Sequence, residues 1–166
     1  GGGEDETVLW LRSGKAIVGF GAWRGADPRG EVVEMLGRYR DRLTEVRVDE
    51  IGVGYYMLKH LQDQGFPAVG VNVGVPARDP ERFRNLKAEM YWELRDKLKD
   101  GQVAGPIDDE TISQATSVRW KLDSRGRIVI ESKEEAAKRG VRSPDRAEAL
   151  MLAFASAGQA LRAYIV

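Results

Sequence analysis

Two carboxylates, Asp145 and Glu148, stand three residues apart at the start of an apolar stretch, SPDRAEALMLAFA at 143–155. Ser143 is a good N-cap and Pro144 suits the first helical position, so a helix is predicted to begin here. Asp145 then falls in the first turn, with Glu148 close to the same face. Packing by Leu150, Met151, Phe154 and Leu161 gives that edge no reason to carry a second acid. Two carboxylates aimed at one spot repel each other unless a cation lies between them. The helix dipole is the plainer account of Asp145 taken alone. A third acid, Asp49, closes the β-rich run at 46–48 and precedes Glu50 and the Gly52-Val53-Gly54 turn. Ligands of open α/β sheets collect at the carboxyl ends of strands, although a turn-forming Asp is also common there. If Asp49 and Asp145 meet at one sheet edge, carboxylate-held divalent ions there would activate water and stabilise charge on a phosphoryl group.

Composition narrows the metal. The chain of 166 residues has no cysteine and one histidine, His60, so thiolate sites, disulfides and His-rich zinc sites within it are excluded. Oxygen ligands remain, and they favour Mg2+ or Mn2+. No G-x-x-x-x-G-K-[ST] occurs, and Met57 stands where a dinucleotide fingerprint needs its last glycine. With 26 basic and 26 acidic residues nothing global advertises nucleic acid. The span 119–146, however, holds nine basic residues against five acids, a local basic face beside the candidate acids. No apolar run approaches a membrane span and no signal peptide is evident; the lack of cysteine suits an intracellular setting. Asp5, in Gly3-Glu4-Asp5-Glu6, either adds a carboxylate or shapes a turn. Asp108 and Asp109 fit an N-cap and a dipole partner, His60 a surface or interface position, and Trp10, Trp23, Trp92 and Trp120 packing positions.

The elements that must position these acids follow from periodicity. β-rich runs at 8–12 and 15–23 flank Ser13-Gly14 and predict a hairpin. Residues 31–43 carry Val32, Met35, Leu36 and Tyr39 at helical spacing. A strand at 45–49, a helix to about residue 64 and a strand at 68–73 predict a parallel pair with a crossover. A long helix is expected at 82–99, a shorter one from Asp108, a second hairpin across 118–130, a short polar helix at 132–139 and the final helix from Ser143. The expected fold class is α/β, one domain over 1–166, antiparallel at its N-terminal edge.

These pieces resemble a known family. GGGEDET at 1–7, VDEIGVG at 48–54, NLKAEMYWELRDKLKDGQV at 85–103 and RIVIESKEEAAKRGVRSPDRAEALMLAFA at 127–155 are similar, in order and spacing, to the C-terminal nuclease domain of the large terminase subunit of a tailed phage or prophage. The resemblance implies a ribonuclease H-like fold, a mixed central sheet flanked by helices, with the 118–130 hairpin as an additional element. It implies a metal-dependent endonuclease that cuts double-stranded concatemeric DNA during genome packaging, using Mg2+ or Mn2+, with two metal ions. Asp49 and Asp145 would be catalytic metal ligands, and Glu148 an accessory ligand, with Asp5 and Lys133 further accessory candidates. Lys121, Arg125, Arg127, Lys133 and Arg142 would meet DNA.

The implied partners are an ATPase domain of the same parent chain, the portal and the small terminase subunit, in the cytoplasm of a bacterial host. In this family the first catalytic Asp precedes the glycine-rich turn. Numbering here opens inside that turn, so the first core strand is expected to fall outside it, and a chain lacking that strand should have an impaired sheet and a defective metal site. Two alternatives stay open: another ribonuclease H-like nuclease such as a junction resolvase, and a catalytically defective DNA- or partner-binding module.

Overall fold

A computed structural model describes residues 6–25, 27–155 and 161–165. The elements run β1 (Glu6–Ser13), β2 (Ala16–Arg24), α1 (Arg29–Gly37), β3 (Leu43–Asp49), α2 (Gly54–Asp63), β4 (Ala68–Val71), α3 (Leu86–Lys99), α4 (Asp109–Ser117), β5 (Trp120–Leu122), β6 (Ile128–Ile130), α5 (Lys133–Lys138), α6 (Asp145–Phe154) and β7 (Leu161–Ile165). Five strands form one mixed sheet in the order β2-β1-β7-β3-β4, and β5 pairs with β6 as a separate antiparallel hairpin.

β1 reads as a nearly continuous apolar run because both faces of the sheet are covered. Val8 and Trp10 face α3 and α6, while Leu9 and Leu11 join Val32 and Leu36 of α1 and Leu58 and Leu61 of α2. The same two-residue alternation sends Tyr164 of β7 to the α6 side and Ala163 and Ile165 to the α1–α2 side. α6 is buried along its length, from Ala147 to Phe154. Each large side chain such as Leu150 or Phe154 contributes about 1.5–3 kcal/mol by leaving water.

The expected hairpins, the β3-α2-β4 parallel crossover and the helices around the sheet are all present. Two expectations change. The final helix starts one residue late, with Pro144 at the N-cap, and it ends at Phe154. Leu161, expected on that helix, belongs to β7. β7 lies at the sheet centre, antiparallel to β1 and parallel to β3, so the sheet is filled where an impaired one was expected. Smaller shifts have local causes. α3 starts at Leu86 because Asn85 caps it, accepting from the Ala88 amide at 3.0 Å. Trp120, expected to pack, is 53% exposed, with its ring edge-to-face against Trp92 at 5.1 Å between centroids.

Candidate active site

Asp49 ends β3, where the strand stops pairing and the chain turns into α2. Its Oδ1 accepts the Ile51 amide at 3.1 Å, and Gly52 supplies the positive φ of 66° that the turn requires. Gly54 is equally constrained: a Cβ there would lie 1.8 Å from the Asp49 carbonyl oxygen. The turn thus fixes the Asp49 backbone from both sides.

Three other elements begin at the same end of the sheet. α3 docks there because the Leu86 and Lys87 amides donate to the carbonyls of Val75 and Val73, each at 2.9 Å, just beyond β4. α5 begins with Lys133 after a capping box in which Ser132 and Glu135 exchange hydrogen bonds. α6 is pinned to β1, since Asp145 Oδ2 accepts the Glu6 amide at 2.9 Å while its Oδ1 accepts the Ser143 hydroxyl at 2.5 Å.

These anchors aim Glu148 at the centre. Glu148 is 7% exposed; Lys87 donates to its Oε1, and Lys133 Nζ lies 3.8 Å from its Oε2. The Asp49 carboxyl is pushed above its usual range, chiefly by burial and further by the charge of Glu148. The Ile51 amide bond, Lys133 and Lys87 oppose that rise. Asp49, Glu148, Lys87 and Lys133 therefore form one electrostatic group. Asp145 is 8% exposed and has both oxygens engaged in holding the start of α6.

Among the described residues no group of three His, Cys, Asp or Glu side chains is placed to hold a metal ion. The resemblance implied Asp49 and Asp145 as ligands with Glu148 as an accessory, and the first catalytic Asp before the glycine-rich turn. β7, beside Asp49, contributes LRAYI and no acid, and Asp5 lies outside the described residues. Asp49 and Glu148 offer the oxygen donors that suit a divalent cation, and a cation beside them would offset both the burial of the Asp49 carboxylate, the larger cause of its raised pKa, and its repulsion by Glu148.

Of the basic residues expected to meet DNA, Lys121 is paired with Glu135, and Arg127 with Asp123 at 2.9 Å. Arg125 and Arg142 are exposed and form no ion pair among the described residues. Lys87 and Tyr91 are two further residues at this site. They lie four apart in NLKAEMY, on one face of α3, and that spacing was the available signal.

No family model and no curated protein matches the chain. Solved structures do. The calcium-bound mutant nuclease domain of the large terminase subunit gp2 of bacteriophage Sf6 superposes with a TM-score of 0.72 at 19% identity, covering 92% of this chain and 83% of that one. A manganese-bound form of the Sf6 domain, also holding beta-thujaplicinol, gives 0.69 at 18% identity with the same coverages, 92% and 83%. The magnesium-bound large terminase nuclease of thermophilic phage G20c gives 0.68 at 21% identity, over 94% of this chain and 77% of that one. The chain has the ribonuclease H-like fold of the phage large terminase nuclease domains.

Proposed function

We propose that this chain is the divalent-metal-dependent endonuclease domain of a terminase large subunit, cutting double-stranded concatemeric DNA during viral genome packaging. The convergence of Asp49 and Glu148 at the carboxyl end of β3, on a terminase-nuclease fold, carries the proposal. Sf6 and G20c nuclease domains have been solved with manganese, calcium, magnesium and cobalt, which supports Mg2+ or Mn2+ here.

Asp49 and Glu148 would hold the cation. When bound, it supplies a Lewis acid that lowers the pKa of its water and neutralises charge developing on the phosphodiester. Lys87 and Lys133 hold the Glu148 carboxylate in place and offset its charge. Asp145 would act one step back, fixing the first turn of α6 through Glu6 and Ser143, and its two hydrogen bonds support ranking Glu148 ahead of it as a ligand. Arg125 and Arg142 are exposed and free of ion pairs among the described residues, and would reach phosphates. In this proposal the ATPase is a separate domain of the parent chain, the portal and small terminase subunit are its partners, and it works in the host cytoplasm.

Nicking of supercoiled plasmid in Mn2+ or Mg2+ tests the proposal. Cleavage is expected to need the metal, to be lost in Asp49→Ala and Glu148→Ala, and to survive in part in Asp145→Ala at temperatures where that variant stays folded. Cleavage unchanged in both Asp49→Ala and Glu148→Ala overturns the assignment. One observation favours a second function, a DNA-binding module without catalysis: among the described residues two carboxylates converge and a third does not. Salt-dependent DNA binding with no cleavage at any Mn2+ concentration would establish it in place of the first.

A further inference from the structure

The hydroxyl of Tyr91 is buried and has no hydrogen-bond partner among the described residues, although the whole residue is only 8% exposed. Phenol hydroxyls that leave water normally find a partner. Tyr91 sits one turn beyond Lys87 on α3, and both side chains line a small cavity with Glu148, Lys133 and Ser132. The cavity measures about 20 Å³, room for a single water molecule. Its polar groups supply the two to four partners that a buried water needs: the Tyr91 hydroxyl, the Glu148 carboxylate and the ammonium groups beside it.

We infer that Tyr91 is a positioning residue, its hydroxyl donating through one water seated in this cavity to the Glu148 carboxylate and so holding that carboxylate toward Asp49. The consequence for metal affinity rests on the nuclease function proposed above; the positioning of Glu148 does not. Lys87 holds one carboxylate oxygen directly, Lys133 stands 3.8 Å from the other, beyond hydrogen-bond reach, and a water-bridged hydroxyl from the next turn of α3 completes the hold.

Tyr91→Phe keeps the ring and deletes the hydroxyl, so folding is expected to survive, with Tm within a few degrees of the parent. Crystals of the metal-free parent are expected to show a water within hydrogen-bond distance of Tyr91 Oη and a Glu148 oxygen. In Tyr91→Phe crystals that water should be lost and the Glu148 carboxylate rotated. Calorimetric Mn2+ titration should then give about tenfold weaker binding in Tyr91→Phe, as for other groups that orient a metal ligand. A dry cavity in the parent, or a Glu148 carboxylate unmoved in Tyr91→Phe, overturns the inference. If the parent binds no Mn2+, the nuclease proposal fails, and the metal-free crystals still decide the role of Tyr91.

Discussion

Replacing Arg146 by Met is expected to destabilise the fold by about 3 kcal/mol, and the structure gives the reason. The Arg146 guanidinium grips both Glu6 oxygens at 2.8 Å and Asp108 Oδ2 at 2.7 Å, and it approaches Glu110 at 3.4 Å. The Glu6 side chain is 5% exposed, so removing the cation strands a charge that water cannot reach. Breaking a buried pair from one side costs about 3–5 kcal/mol. Arg24 remains 2.8 Å from Glu6, which places the cost at the lower end. The Asp108 and Glu110 contacts are more exposed and add little. For a chain of this size, about 3 kcal/mol corresponds to a fall in Tm of about 6–12 °C. Urea unfolding of Arg146→Met, Glu6→Gln and the double variant measures it, and the double variant should be more stable than Arg146→Met alone because the buried Glu6 charge is gone and the partners left behind are more exposed. The sign with pH is fixed. Arg146 lowers the Glu6 pKa, so this stabilisation is present above the unfolded carboxyl range and is lost as pH falls through the lowered native value. The gap between parent and Arg146→Met should therefore be largest near neutrality and close below about pH 4. A cost under about 0.5 kcal/mol at neutral pH, or a double variant weaker than Arg146→Met, would refute the reasoning.

Gly54→Ala forces a Cβ against the Asp49 carbonyl, so we expect a loss of about 1–3 kcal/mol together with impaired cleavage. Gly37→Ala, in open space at the end of α1, serves as the folding control and should be neutral or slightly stabilising in the same thermal melts. Arg125→Ala should leave Tm unchanged, weaken DNA binding, and reduce the slope of log Kd against log salt by about one, as measured by fluorescence anisotropy. Asp49→Asn should abolish cleavage yet raise stability at pH 7 by up to about 1 kcal/mol in metal-free buffer. The native Asp49 pKa is raised, so the cost it imposes grows as pH rises from the unfolded carboxyl value and is complete above the native one, and the advantage of the amide variant should vanish in melts below about pH 4.

Local chemistry made much of this legible. Ser13-Gly14 marked the first hairpin, Ser132 and Glu135 the start of α5, and the Gly52 and Gly54 spacing the turn after Asp49. β7 escaped because MLAFASAGQALRAYIV is apolar at spacings compatible with helix or strand, and its place is set by pairing with β1 and β3. The proposed ranking of Glu148 over Asp145 was not legible for a related reason. Both lie near one face of α6, and which of them reaches Asp49 depends on the helix's rotation over the sheet. That rotation is set by distant anchors, the Glu6 amide on Asp145 and the Glu6 carboxylate on Arg146. Basic residues between 119 and 146 could be counted but not sorted, since Arg146, Arg127 and Lys121 spend their charge on acids within the domain.

Those internal pairings also separate the acids that build the fold from the acid that the fold leaves exposed to stress. Glu6, Asp27, Glu89, Asp108, Asp123, Glu131, Glu134 and Glu135 all have lowered pKa values, each held as a carboxylate by nearby hydrogen-bond donors. Among the described carboxylates with a shifted pKa, Asp49 alone moves upward. It is buried at the end of a central strand, faces another acid, and keeps one backbone amide bond while Lys87 and Lys133 lie against Glu148. A structural acid in that position would have been given an arginine, as Glu6 was. Carboxylates left in this condition at the carboxyl edge of a sheet are characteristic of working sites, and a divalent cation, as in the function proposed above, would relieve Asp49.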